Sequence, residues 1–324
     1  MSKVLITGIN GSAGSYFAEY LVDKHPEVEI HGVSRWHSTS NDENLKEIRN
    51  KINMHECDLT DYSSIFSTLK KVQPDYVFHF ASYANVRASF ETPLAVLNNN
   101  VMGTANLLEA IRQAETNSVF VLAGTPEIFG QAEGEDLYLK ENCPMKPQNI
   151  YAVSKATQDL LAQAYFLNWG MKTIRTRPFS YINAKRKDLF ATAFAMQVAR
   201  IEKGLQKVLT HGNLDSVRNL IDVRDVMSAY WLTATKGRAG EAYNIGGDNE
   251  MTVGEFLERL KKVAKCEIPT EVDPKLLRPV DLKSQLPDST KFRNETGWKP
   301  EIPFEETLNH LLEHCRKEVE KEIR

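Results

Sequence analysis

The sequence predicts an α/β protein with a doubly wound parallel sheet and a smaller C-terminal α/β lobe. Three observations predict it. Short β-branched runs alternate with helical patterns through the first half of the 324 residues, the order that a parallel sheet covered on both faces requires. A glycine-rich turn, Thr7-Gly8-Ile9-Asn10-Gly11-Ser12-Ala13-Gly14, follows the first of those runs. Tyr151 and Lys155 stand four apart in a helical pattern, hence on one helix face.

In chain order, Val4-Leu5-Ile6 reads as a strand, 12–22 as a helix and 29–34 as a strand. Residues 65–72 are helical after Asp61-Tyr62-Ser63, and 75–80 form a strand. One long helix is predicted within 94–115, where Leu97, Val101, Leu107, Leu108 and Ile111 recur at near-helical spacing. A strand at 119–122, the Tyr151 helix ending near Gly170, and a strand at 173–176 complete the alternation. After Arg177-Pro178 the rhythm weakens. Residues 191–203 look helical and 242–245 look like a returning strand. Thr252 with Glu255 three residues on marks a capping box that opens a helix to 265. A proline-rich segment, 269–303, follows. The predicted division is a dinucleotide-binding domain of Rossmann type over 1–178, with a returning segment at about 215–246, and a lobe of 179–214 and 247–324 that closes over it.

Composition excludes several classes. With 42% hydrophobic residues the chain can bury a large core, and a net charge of -3 provides no basic field for nucleic acid. No run of about 18 apolar residues could span a membrane, and Met1-Ser2-Lys3 runs straight into a strand pattern, so no leader is expected. Cys57, Cys143, Cys266 and Cys315 form no paired motif. That argues against disulfides or zinc and fits a reducing cytoplasm. His31, His55 and His79 sit in or beside strands without ligand spacing, so no metal is expected. The closing Lys-Glu run reads as a solvated helix end.

The chemistry lies in two motifs. Gly8, Gly11 and Gly14 let backbone approach a pyrophosphate, and the helix that follows offers free N–H groups and the positive end of its dipole. The spacing is G-x-x-G-x-x-G. A carboxylate at the end of the second strand would select NAD. Here Ser34-Arg35-Trp36-His37 has none, and Arg35 could pair with a 2′-phosphate, so NADP is expected, with NAD possible. Tyr151 and Lys155 form a proton-handling pair, and an ammonium beside a phenol is expected to lower its pKa from about 10.

Together these features resemble the extended short-chain dehydrogenases/reductases that act on nucleotide sugars, over almost the whole chain. Asp58-Leu59 matches the family's adenine-side pair, His79-Phe80-Ala81-Ser82 resembles its His-Leu-Ala-Ala, and Asn100-Val101-Met102-Gly103-Thr104 its Asn-Val-x-Gly-Thr. Gly297-Trp298-Lys299-Pro300 is similar to its C-terminal Gly-Trp-x-Pro. Within the family, 212–218 and Leu277-Arg278-Pro279-Val280-Asp281 resemble segments of the GDP-mannose 4,6-dehydratases and GDP-4-keto-6-deoxymannose reductases. The resemblance implies a catalytic set of Thr125, Glu127, Tyr151 and Lys155. It implies cofactor contacts from Gly8, Asn10, Gly11, Gly14, Arg35, Asp58, Leu59 and Ala81, together with Tyr151 and Lys155. It implies substrate contacts from Val86, Thr125, Asn183, Arg218 and Arg278, the two arginines toward the diphosphate.

The activity so implied begins with oxidation at C4 of a GDP-hexose: Tyr151 takes the 4-hydroxyl proton, Glu127 removes the C5 proton, and water leaves C6. A single-hydride 4-dehydrogenase or 4-keto reductase, a 4-epimerase, and a non-catalytic cofactor-sensing protein stay open. Several departures bear on the choice. Pro126 stands where the dehydratases carry Ser or Asp, Ala84 replaces a serine, and Asn219 replaces an Asp. Residues 179–183 replace a Phe-Asn-His segment, and Ala184-Lys185-Arg186 a Gly-Pro turn. The resemblance also implies a homodimer or homotetramer paired through the 94–115 and Tyr151 helices.

Overall fold

In the computed structural model, residues 1–35, 41–131, 138–277 and 284–323 are described. Seven parallel strands form the main sheet. In spatial order they are Ala242–Ile245, Thr173–Pro178, Val119–Ala123, Tyr76–His79, Lys3–Thr7, Glu29–Ser34 and Ile52–Glu56. The order reverses beside Lys3–Thr7, and in such sheets ligands bind outside the carboxyl ends of the strands near the reversal. The edge strand Ile52–Glu56 was not predicted. Its Ile-Asn-Met-His-Glu sequence lacks a clean apolar alternation, and its place comes from pairing Ile30 with Ile52 through Ser34 with Glu56.

Both faces of the sheet are covered, which is why its strands read as nearly continuous apolar runs. One face packs Val4, Ile6 and Phe78 against the helices Ser12–Lys24 and Val223–Lys236. The other packs Leu5, Val77, Phe120 and Leu122 against Tyr62–Val72, Gly103–Ala114 and Ala162 of the Ile150–Trp169 helix. A separate apolar core joins the helices Phe190–Glu202, Val253–Lys262 and Phe304–Ile323. The predicted capping box forms, with Thr252 and Glu255 each accepting the other's backbone N–H. The final helix buries Leu308, Leu311, Leu312 and Cys315, so only its last turns match the solvated end predicted for the closing run.

The segment 215–246 is shared between sheets. Val217–Asp222 pairs with Asn249–Thr252 and Ser284–Pro287 in a smaller sheet, whereas Ala242–Ile245 joins the main one. Lys185, just beyond the short strand Tyr181–Ile182, is tied to the first helix and to Asn44. Its ammonium donates to Glu19 (2.6 Å), Ser15 Oγ (3.1 Å) and the Asn44 carbonyl (3.3 Å).

The helix predicted within 94–115 is interrupted. Pro93–Leu97 is α-helical, Asn98–Met102 is a π-helical turn, and Gly103–Ala114 is α-helical again. Such wide turns occur where a side chain must be set against a functional element. Here Asn100 is fully buried and donates to Ser154 Oγ on the Tyr151 helix (2.9 Å).

Candidate functional site

The turn after the first strand has the shape a bound phosphate needs. Gly8 has φ +69°, and a Cβ there would lie 2.7 Å from Ala81 Cα. A Cβ on Gly14 would lie 2.4 Å from the Gly8 carbonyl oxygen. Neither position admits a side chain without moving backbone. The turn opens on a cleft of about 360 Å³ whose lining includes Gly8, Asn10, Gly11, Arg35, Asp58, Leu59 and Ala81. Seven of the eight residues predicted for the cofactor apart from the Tyr151–Lys155 pair thus share one cavity, with Gly14 packed beneath it. Asn41, Tyr83 and Asn99 also line it, unpredicted because they carry no motif and arrive only by folding, and so does Ser82, the last residue of the His79-Phe80-Ala81-Ser82 segment.

The polar groups of this cleft suit a dinucleotide. Asn10 Oδ1 and Ser82 Oγ are buried, with no hydrogen-bond partner among the described residues, a costly state unless a ligand supplies one. Asn10 Nδ2 donates to Asp42 Oδ1 (2.5 Å), and Arg49 holds the other oxygen of Asp42 (3.1 Å). Asp58 accepts from the N–H and hydroxyl of Thr60 (2.9 and 2.7 Å). Arg35 reaches the Tyr83 hydroxyl (3.3 Å) at the rim, where an anion could engage its remaining donors.

The second cluster gathers at the start of the Ile150–Trp169 helix. Asn149 caps that helix by accepting from Ala152 N (2.8 Å) and reaches Glu127 Oε2 (3.5 Å). Thr125 caps the short 3₁₀ turn Pro126–Phe129, accepting from Glu127 N (3.3 Å), and its side chain is hydrogen-bonded to the Tyr151 phenol. Lys155 Nζ donates to the Ala123 carbonyl (2.9 Å). Thr125, Glu127 and Tyr151 therefore converge, with Lys155 one helical turn below.

The electrostatics differ from the sequence expectation. Burial pushes the Tyr151 phenol up to about 12, opposed first by Arg186 and then by the hydrogen bond from Thr125. Lys155 is not the cation that lowers it. Burial, reinforced by Arg186, brings Lys155 itself down to about 7. The physical reason is that both groups of the pair are enclosed, so desolvation acts on each before either can help the other.

A buried network supports this face. His79 bridges Thr7 Oγ1 (2.7 Å) and Thr104 Oγ1 (2.8 Å), and burial lowers its pKa to about 3, so it is neutral. Thr104 and Gln158 both donate to the Asn100 carbonyl (2.7 and 3.1 Å). The end of the first strand is thereby tied to the helix that carries Tyr151.

The predicted substrate residues are less unified. Val86 begins the short helix Val86–Glu91, capped by Asn85. Asn183 is fully buried, accepts from Lys185 N (3.1 Å), and leaves its amide nitrogen without a partner among the described residues. Arg218 lies in the smaller sheet, paired in register with Gln285, whose amide donates to the Gly130 carbonyl (3.2 Å) of the Thr125 loop. Arg278 lies outside the described residues. A larger open depression of about 740 Å³ near Tyr138, Asp248 and Arg293 contains none of the predicted residues. Among the described residues no His, Cys, Asp or Glu group gathers as a metal site, and no helix is long and apolar enough to cross a membrane.

Residues 5–311 match the family model described as GDP-mannose 4,6 dehydratase. The chain is 29% identical over 322 residues to GDP-6-deoxy-D-mannose reductase of Pseudomonas aeruginosa, covering 99% of each. It is 30% identical over 351 residues to GDP-mannose 4,6-dehydratase of Yersinia enterocolitica, covering 96% of this chain and 93% of the relative. The solved structure of RMD from Pseudomonas aeruginosa complexed with NADPH superposes with a TM-score of 0.85 at 27% identity, covering 98% of this chain and all of that one.

Proposed function

The chain belongs to the GDP-mannose 4,6-dehydratase family, and from that premise we propose that it is a NADP-dependent GDP-hexose 4,6-dehydratase. The observation that carries the proposal is the convergence of Thr125, Glu127 and Tyr151 on a helix that Ser154 and Asn100 tie to Tyr83 in the wall of the glycine-lined cleft. Gly8, Gly11 and Gly14 with Asn10 would hold the pyrophosphate, Asp58 and Leu59 the adenosine, Arg35 the 2′-phosphate, and Ala81, Tyr151 and Lys155 the nicotinamide side. When bound, the cofactor supplies reversible hydride exchange with a sugar carbon.

The chain's own residues supply the proton chemistry. Tyr151 as phenolate takes the proton of the sugar 4-hydroxyl, and Thr125 orients that hydroxyl through the hydrogen bond it shares with the phenol. A ketone at C4 acidifies the C5 proton; the Glu127 carboxylate accepts it and passes it to the hydroxyl leaving C6 as water, and C5 takes up a solvent-derived proton when C6 receives the hydride that was removed from C4. Enclosure of Tyr151 and Lys155 keeps solvent from the keto intermediate. Asn183, Arg218 and Arg278 are assigned to the diphosphate and sugar, with Val86 against the sugar. The lobe of 179–214 and 247–324 is assigned to the nucleotide sugar, and 1–178 with about 215–246 to the cofactor. The proposal includes a homodimer or homotetramer, supported by exposed Leu94, Met102, Leu160, Leu167 and Trp169 on the two helices named above. It also includes a cytoplasmic location, which suits four free cysteines.

The test is product analysis with GDP-mannose and catalytic NADP. A 4-keto-6-deoxy product without net NADPH formation is expected. Solvent deuterium should enter C5, and Glu127→Gln should abolish that entry; unchanged exchange would remove Glu127 from the role of base. A second reading, a GDP-4-keto-6-deoxymannose reductase, is favoured by the end-to-end match to the reductase and by Pro126 beside Glu127. It predicts turnover only of the keto-sugar, with stoichiometric consumption of NADPH.

A further inference from the structure

We propose that Gln285 is a positioning residue for Glu127: from the strand beside Arg218, its buried amide holds both ends of the short turn that carries the carboxylate. This deepens the reading of Glu127 as the C5 base and rests on it.

The turn Pro126–Phe129 is a stiff unit. Pro126 at its start has a fixed φ and no N–H. Thr125 caps it by accepting from Glu127 N (3.3 Å). The Ile128 carbonyl accepts from Lys146 N (2.8 Å). Gly130 ends the turn at φ +67°, where a Cβ would collide with the Lys146 carbonyl oxygen. Such a turn moves as a body, so whatever holds its ends decides where the Glu127 carboxylate stands.

The strand Ser284–Pro287 holds them. Gln285 Nε2 donates to the Gly130 carbonyl (3.2 Å) and reaches the Pro126 carbonyl (3.5 Å). An amide nitrogen carries two hydrogens, one for each carbonyl. Gln285 is 5% exposed, and Pro126 and Gly130 are buried too, so a carbonyl deprived of this donor is costly. Leu286 and Pro287 then pair with Tyr138 and Leu139, so the chain leaving the turn returns to the same strand. On its other edge the strand runs beside Val217–Asp222, with Gln285 opposite Arg218. One strand thus joins the residue assigned to the diphosphate to the turn assigned to proton removal. Pro126, the departure from the dehydratases beside Glu127, is one of the two residues it holds.

Single turnovers of the full chain with GDP-mannose and NADP separate the steps. The absorbance of reduced nicotinamide rises as C4 is oxidised and falls as C6 is reduced, after Glu127 has removed the C5 proton. Gln285→Met keeps the length of the side chain but has no donor. It should slow the fall, and kcat with it, by about tenfold, the size of one lost hydrogen bond. The rise and the KM for GDP-mannose should stay near wild type. Gln285→Asn, with the same donor on a shorter arm, should recover part of the loss. Amide hydrogen exchange in the peptide spanning the turn should quicken in Gln285→Met, and less in Gln285→Asn. An unchanged fall in Gln285→Met, a rise and fall slowed alike, a raised KM alone, or unchanged exchange across the turn each overturns the proposal. Glu127→Gln is the reference and should slow the fall at least as much. Should Glu127→Gln leave the fall unchanged, the reading of Glu127 as base fails. A slowed Glu127→Gln beside an unaffected Gln285→Met refutes the role of Gln285 alone. If GDP-mannose is not turned over at all, the proposed function fails, while the exchange still reports whether Gln285 holds the turn.

Discussion

The dinucleotide cleft and the Tyr151 cluster sit side by side but are built from different materials. The cleft is made by backbone: Gly8 and Gly14 leave no room for a Cβ, and the space so cleared is the binding surface. The cluster is made by side chains drawn from separate segments, Thr125 and Glu127 from one loop, and Tyr151 and Lys155 from a helix. A backbone site is specified locally, by which residues are absent. A side-chain site is specified by desolvation and charge, which depend on everything that packs around it.

That contrast can be broken in both directions. Tyr151→Phe should lower kcat by about 10²–10⁴-fold, the range for a lost general acid–base, while NADPH affinity read by fluorescence titration stays near wild type. A parallel loss of affinity would show that the two regions are not separable. Gly14→Ala should do the reverse. Its Cβ meets the Gly8 carbonyl, so the turn must shift, and NADPH affinity should fall by on the order of 100-fold, about 2.7 kcal/mol. Saturating NADP should restore most of kcat. Thr125→Val keeps shape but removes the hydrogen bond to the phenol. A loss of about tenfold in kcat is expected, with the pH profile moved to higher pH because that bond favours ionisation, at about 1.4 kcal/mol per tenfold change.

The smallest effect is on stability. His79 lies beneath both regions and stays neutral when folded, with its pKa lowered to about 3. Unfolded, it would take a proton near pH ~6.5. Between these values the unfolded state binds more protons, so stability is complete above about 6.5 and falls as pH drops, by up to roughly 1.4 kcal/mol per pH unit. Denaturant midpoints from pH 7 to 5 should therefore slope less steeply in His79→Gln than in the parent chain. Equal slopes would mean that the buried imidazole is not the titrating group.

Much of the fold was legible because its signals are local. The strand at Lys3–Thr7 follows from its β-branched residues, and the Thr252–Glu255 box from two side chains three residues apart. The edge strand Ile52–Glu56 was not legible, because register with its neighbour rather than its own pattern makes it a strand. Nor was the π-helical turn at Asn98–Met102. Periodicity there continues the helix, and only the Asn100–Ser154 contact explains the extra width. In the site, motif spacing identified Gly8, Gly14, Tyr151 and Lys155, but Tyr83, Asn41 and Asn99 have no spacing to read.

By itself the sequence determined where backbone had to be bare and which helix face carries a phenol and an amine, because both depend on neighbours within a few residues. Only the tertiary structure decided how far burial acts on that pair. The chain places Lys155 four residues from Tyr151, yet folding encloses both and turns the Lys155 amine to the Ala123 carbonyl. Sequence proximity puts two groups on one face. Burial and the direction of each side chain's hydrogen bonds decide which charge the phenol feels.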